Sequence, residues 1–161
     1  MSAISHDGYT LTREIAACPA HVFALWSDPD KKRAWFVDGG APERDQSFDF
    51  RIGGTETGRF VIETGPGAGE HRNVTHYLDI AEARHIVMAY TMAWNGRIHS
   101  ASLVTVTFED LSGGTRLTFS EKMTLIGESD GGARRQHGWG ALLDRLEEML
   151  AAEKHRATSA T

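Results

Sequence analysis

Two periods divide this chain. Between about residue 48 and residue 123 apolar side chains recur at every second position, whereas near both ends they recur at steps of three and four. The last regular stretch is the plainest. Trp139, Leu142, Leu143, Leu146, Met149 and Leu150 fall on one side of a helix running from Ala133 to about Ala152, with Asp144, Arg145, Glu147 and Glu148 opposite. Such a helix is roughly 30 Å long. Asp130, before Gly131 and Gly132, is placed to start it. Gly138 and Gly140 lie within its first turns, where each costs about 1 kcal/mol against Ala. Something should approach the backbone there or need the space.

Upstream, Tyr9 to Ala17 alternates loosely and predicts a first strand. Pro19 suits the first position of a helix capped by Cys18, with Val22, Phe23 and Trp26 as its apolar stripe. Asp28-Pro29 predicts a second short helix through Lys31, Lys32 and Arg33 to Trp35-Phe36. A loop from Asp38 to Asp45 precedes the switch to period two. Phe48, Phe50 and Ile52 alternate up to a turn at Gly53-Gly54, then Phe60 and Ile62. The glycine-rich stretch Gly65 to Gly69 reads as a mobile hairpin. Val74, His76, Leu78 and Ile80 follow, then Ile86, Met88, Tyr90, Met92 and Trp94, then the turn Asn95-Gly96. Val104, Val106 and Phe108 lead through Ser112-Gly113-Gly114 to Leu117, Phe119, Glu121 and Met123. The order is one strand, two short helices, about six hairpin-linked strands and a long helix. Short turns favour an antiparallel meander, and only the last helix can cover its apolar face. The fold class is α+β, a curved antiparallel sheet of about seven strands wrapped around the C-terminal helix.

Composition narrows the classes of function. A chain of 161 residues, 40% hydrophobic and 24% charged, fits one domain, read here as residues 1–161 with an ordered core of about 8–152. The net charge of −5 implies no basic face for nucleic acid. A single cysteine, Cys18, excludes an internal disulfide framework and suits a reducing cytoplasm, where a buried inert thiol is expected. No apolar run reaches the ~18 residues needed to cross a membrane. Met1 to Thr10 lacks the pattern of a secretory signal, and Lys154 to Thr161 is expected to fray.

Several segments resemble a known family. Pro19-Ala20-His21-Val22-Phe23, Asp28-Pro29, Trp35-Phe36 and Gly53-Gly54 carry the likeness, with Ser102 to Phe108, Gly114 to Glu121, and Gly138-Trp139. Together they resemble the helix-grip fold of the SRPBCC (START-like) superfamily. More narrowly, they resemble the domain family named after the C-terminal domain of an activator of a heat-shock-chaperone ATPase. The likeness spans about Thr10 to Leu150 and implies an apolar ligand cavity between sheet and helix. It also implies two other roles: a polyketide-cyclase-like enzyme, and a module that regulates a chaperone ATPase. The chaperone activator has an additional N-terminal domain, whereas a single domain is expected here.

Candidate chemistry gathers on the predicted inner face. Met88, Tyr90, Met92 and Trp94 could wall a cavity or fill the core. Phe119, Glu121, His137, Trp139 and Leu142 complete the candidate ligand contacts. Glu121 shares a face with Leu117, Phe119 and Met123, so its carboxylate is either paired or available as a general base. His76 and Tyr90 are its candidate partners in catalysis; as a lone histidine on an apolar face, His76 could equally be a hydrogen-bonded core residue. His99, after the Asn95-Gly96 turn, is expected to be exposed. His71 and His76 are five residues apart on opposite faces of extended chain, so no metal site is implied. No nucleophile elbow, phosphate loop or dinucleotide fingerprint is present, and no cofactor is implied. The expected partner is a small apolar or amphipathic molecule, not nucleic acid or membrane, while a homodimer and a chaperone stay open as protein partners.

Overall fold

Strand β1 (Ile4–Ile15) begins earlier than its apolar residues suggest. In the computed structural model, which describes residues 3–36 and 45–159, it pairs antiparallel with β7 (Thr115–Ile126) from Ile4↔Ile126 to Ile15↔Thr115. The ladder orders residues whose side chains bury nothing. Helices α1 (Pro19–Ser27) and α2 (Pro29–Phe36) start at the two prolines. Asp28 caps α2, its carboxylate accepting from the backbone N–H groups of Asp30 (3.0 Å) and Lys31 (3.1 Å). Cys18 precedes the apolar stripe of α1 and is exposed, not buried.

The remaining strands are β2 (Asp45–Phe48), β3 (Thr55–Ile62), β4 (Gly69–Ala81), β5 (His85–Trp94) and β6 (Arg97–Asp110). With β7 and β1 they form one antiparallel sheet in the order β1-β7-β6-β5-β4-β3-β2, curved around α3 (Gly132–Ser159). This is the α+β helix-grip arrangement. The connection expected from Asp38 falls, through residue 44, outside the described residues.

Three local patterns depart from the expected ones. Strand β2 ends at Phe48, leaving Ile52 exposed in the turn, while Phe50 packs edge-on against Tyr77 (4.9 Å). In β4 the inward residues are Thr75 and Tyr77, and His76 and Leu78 point to solvent. A bulge between Tyr77 and Asp79 then shifts the register, so Ile80 turns back to half-buried. In β6 a register shift opposite Met92 and Ala93 buries His99 and Ser100 in succession, so His99 is 6% exposed instead of solvated.

Helix α3 spans 28 residues, and the segment from Lys154 expected to fray is helical to Ser159. No Gly or Pro interrupts it after Gly140, and Ala, Glu, Lys and Arg are good helix formers. Thr158 and Ser159 donate to the carbonyls of Lys154 (2.7 Å) and His155 (3.0 Å). On the sheet side Trp139 stacks on Trp26 (6.2 Å) and tilts against Phe119 (4.3 Å), joining α1, α3 and β7 in one core. Arg13 ties α3 to β1 through Asp144 and the Gly140 carbonyl (3.3 Å). The glycine-rich hairpin is also held: Trp94 donates to the Ala68 carbonyl (3.0 Å), and His71 lies 2.7 Å from that of Gly67.

Candidate functional site

A cavity of about 260 Å³ lies where the N-terminal half of α3 and the end of α2 cover the inner face of β3, β4 and β5. Phe36, Phe60, Met88, Met92, Trp139 and Leu142 supply its apolar wall. Tyr90, Asn73 and Thr75 line the sheet side, and Asp130, Arg134, Arg135 and Gly138 the helix side. Gly138 leaves open space, since a Cβ there would meet nothing within 4 Å. Gly140 faces Arg13 on β1 instead, so only one of the two glycines bears on the cavity.

Glu121 does not line this space. It is fully buried behind Tyr90 and accepts from Tyr9 (2.5 Å), Tyr90 (2.5 Å), Ser102 (2.6 Å) and Arg135 (3.1 Å). Its role is therefore the paired one. Arg135 fits between two carboxylates: Nε and Nη2 each reach Asp130 at 2.7 Å, Nη2 reaches Ser100 (2.8 Å), and Nη1 reaches Tyr90 (2.9 Å) as well as Glu121. The planar fork suits this multiple pairing. Burial resists the charge on Arg135, but Asp130, Tyr90 and Glu121 hold it above the usual range for arginine. Burial likewise raises Asp130, and Arg135 outweighs it, leaving the carboxyl below its ordinary value. The Tyr90 hydroxyl also accepts from Trp139 (3.3 Å). Desolvation, with Glu121 beside it, keeps its proton on well above the usual tyrosine range.

A second buried pair closes the α2 end. Lys32 donates to Glu56 (3.0 Å), which also accepts from Tyr77 (3.0 Å), and the ammonium sits 4.6 Å from the Phe36 ring centre and 5.4 Å from that of Phe48. Burial and Glu56 together push the Tyr77 hydroxyl far above its normal value.

The sequence-predicted candidates thus separate. Met88, Tyr90, Met92, Trp139 and Leu142 meet at the cavity. Trp94 is spent on the Gly65–Gly69 hairpin, Phe119 is closed into the core, and His137 is exposed on the outer side of α3. His76 points out of the sheet, so it neither meets Glu121 nor packs as a core histidine. Asp130, expected as the acid at the helix start, turns its carboxylate to Arg135. Arg135, Lys32, Glu56, Asn73 and Thr75 were missed. Arg135 is four residues before Trp139, on the same helical stripe, and Glu56 is two steps of two before Phe60, so both could have been found by the rule that singled out Glu121.

Residues 16–151 match the family described as activator of Hsp90 ATPase homolog 1-like protein. The chain belongs to that family. Solved structures place members of this fold beside it. An uncharacterised protein from Rhizobium leguminosarum is 37% identical over 94% of this chain and 99% of its own, with a TM-score of 0.83. A protein from Rhizobium loti is 35% identical over 91% and 98%, with a TM-score of 0.80. A protein of unknown function from Staphylococcus aureus shares the fold at 15% identity, over 94% and 98%, with a TM-score of 0.69. No curated protein matches the chain. Among the described residues no helix is long and apolar enough to cross a membrane, and no cluster of His, Cys, Asp and Glu could hold a metal ion.

Proposed function

We propose that this family member is a binding module for a small amphipathic molecule held between the sheet and α3. The cavity carries the reading. The space opens to solvent beside the exposed Gly138, so water or a ligand fills it, and its size of about 260 Å³, just under the usual ~300–1,000 Å³, suits a small ligand. Its wall mixes Phe36, Phe60, Met88, Met92 and Leu142 with Asn73 and Thr75, the pattern of a pocket that binds an apolar body and orients it. Membership in a family of ligand-holding folds agrees with this.

A cyclase-like reaction would need an acid or base at the cavity. The carboxylates that line it are paired, Glu56 with Lys32 and Tyr77, and Asp130 with Arg135. Glu121 is engaged by four donors behind its wall, His76 lies on the far face of the sheet, and the Tyr90 proton is held by Glu121. The geometry therefore favours binding over proton transfer.

The test is native mass spectrometry of the purified protein for co-purified small molecules, together with titration by the fluorescent probe phenylnaphthylamine. A saturable, displaceable signal is expected. A protein that carries nothing and gives no saturable signal would sink the reading.

A further inference from the structure

We infer that the molecule held in the cavity is an acid: an apolar body ending in a single anionic group, which Arg134 receives at the mouth. This rests on the binding reading above and specifies the ligand class of the same cavity.

Among the described residues five charged side chains line the cavity, and four of them answer one another. Lys32 pairs with Glu56 (3.0 Å) at the α2 end. Arg135 pairs with Asp130 (2.7 Å) at the α3 end, and with Glu121 behind the wall. Arg134 is the fifth. It is exposed where the cavity opens, and its guanidinium has no ion pair or hydrogen bond among the described residues.

The neighbours of Arg134 show why it stays unpaired. Partners on a helix stand three or four residues away. Asp130, four earlier, gives both carboxylate oxygens to Arg135, Oδ2 to Nε and Oδ1 to Nη2. Gly138, four later, has no side chain, and Gly131 and His137 at three offer no carboxylate. Asp7, which β1 brings to the start of α3, lies against Gly132 and accepts from the Gly8 N–H (2.7 Å) instead.

This placement is costly for the protein alone. Helix α3 starts at Gly132 with no acidic residue in its first turn, so Arg134 adds an unpaired cation at the positive end of the helix. The unpaired charge also runs against the chain's own excess, 22 Asp and Glu to 17 Lys and Arg. An anion at the mouth removes the cost. The planar guanidinium matches a carboxylate with two parallel N–H···O bonds. At the rim the acid keeps part of its hydration while the apolar body lies against Phe36, Phe60, Met88, Met92 and Leu142. A cationic ligand would meet Arg134 as repulsion.

The experiment compares matched acids and amides by displacement of phenylnaphthylamine at neutral pH and low salt, where the acids are ionised. The pairs are octanoate with octanamide and naphthoate with naphthamide, with octylamine as the cationic counterpart. The full chain is expected to prefer acid to amide by about 3- to 10-fold for the better-fitting body, a preference that shrinks as salt rises. Arg134→Gln brings the ratio near parity, Arg134→Lys keeps part of it, and Arg134→Glu turns it toward octylamine, while amide affinity is unchanged throughout. Arg134→Gln removes a cation from the helix start, so its melting temperature stays at or above that of the wild type. Amide bound as tightly as acid by the wild type, a ratio unmoved by Arg134→Gln, or a loss of stability in that variant would each overturn the inference. If phenylnaphthylamine binds and neither acid displaces it, the acid class fails and the binding reading stands. If phenylnaphthylamine also fails, both fall.

Discussion

Gly138 should be the rare position where one substitution raises stability and lowers binding. It lies inside α3, solvent-exposed and unencumbered, with nothing within 4 Å of where a Cβ would stand. Replacing an interior helical glycine by alanine gains about 1 kcal/mol when the new methyl meets no obstacle. For a domain of this size that is a rise in melting temperature of roughly 2–4 °C. Gly132→Ala is the internal control. As the first residue of α3 it gains little helical preference, and its Cβ would be driven into the Asp7 carboxylate, which must move aside, so no gain in stability is expected. Gly138 also borders the cavity, and a leucine there would extend over its mouth. Urea and thermal unfolding followed by circular dichroism measure the first effect, and phenylnaphthylamine titration the second. Gly138→Leu is expected to weaken the probe at least about tenfold, the effect of losing ~1.4 kcal/mol of contact. If Gly138→Ala is neutral or destabilising, the space beside it is not open. If Gly138→Leu binds the probe as the wild type does, the cavity mouth is not there.

Further outcomes follow from the same geometry. Arg135→Met strands Glu121 as an uncompensated buried charge and should cost about 3–5 kcal/mol in urea unfolding. His99 is held below the usual histidine range, first by burial and then by Arg135 and Arg97, against the opposing pull of Asp130. The unfolded chain therefore binds its proton more readily, so stability should fall as pH drops through about 6.5, and His99→Asn should flatten that slope. Asp130, held below its ordinary value, contributes stability above about pH 4 that is lost on further acidification, and Asp130→Asn should remove this second slope. Cys18, being exposed, should react with a thiol reagent in the native state at the rate seen in urea; strong native protection would contradict its position.

The sequence was most legible where alternation is long and strict. The rows through Met88 and Tyr90, Val104 and Val106, and Leu117, Phe119 and Glu121 all face inward, because one continuous apolar face leaves no choice of phase. Strand β4 misled for an instructive reason. Its inward residues Asn73 and Thr75 are polar because they meet a cavity, while Val74 and Leu78 face outward, so hydrophobicity favours the wrong phase. A bulge then hides the change of face before Ile80. Burial of His99 was invisible for the same kind of cause, since the register shift in β6 has no mark in residue type. The Arg135–Glu121 pairing lay half in view. The inward carboxylate was legible from alternation, but its partner was a charged residue on a stripe read only for its apolar members.

The claim that the cavity is a ligand site is tested most directly by methyl NMR of the five methionines. Met88 and Met92 line the cavity, whereas Met123 is packed on β7 and Met149 lies further along α3. Titration with phenylnaphthylamine should shift the Met88 and Met92 methyl signals saturably, with one shared dissociation constant, and leave Met123 and Met149 in place. Shifts that never saturate, or that appear at Met123 and Met149 while Met88 and Met92 stay still, would show that the cavity does not hold the ligand.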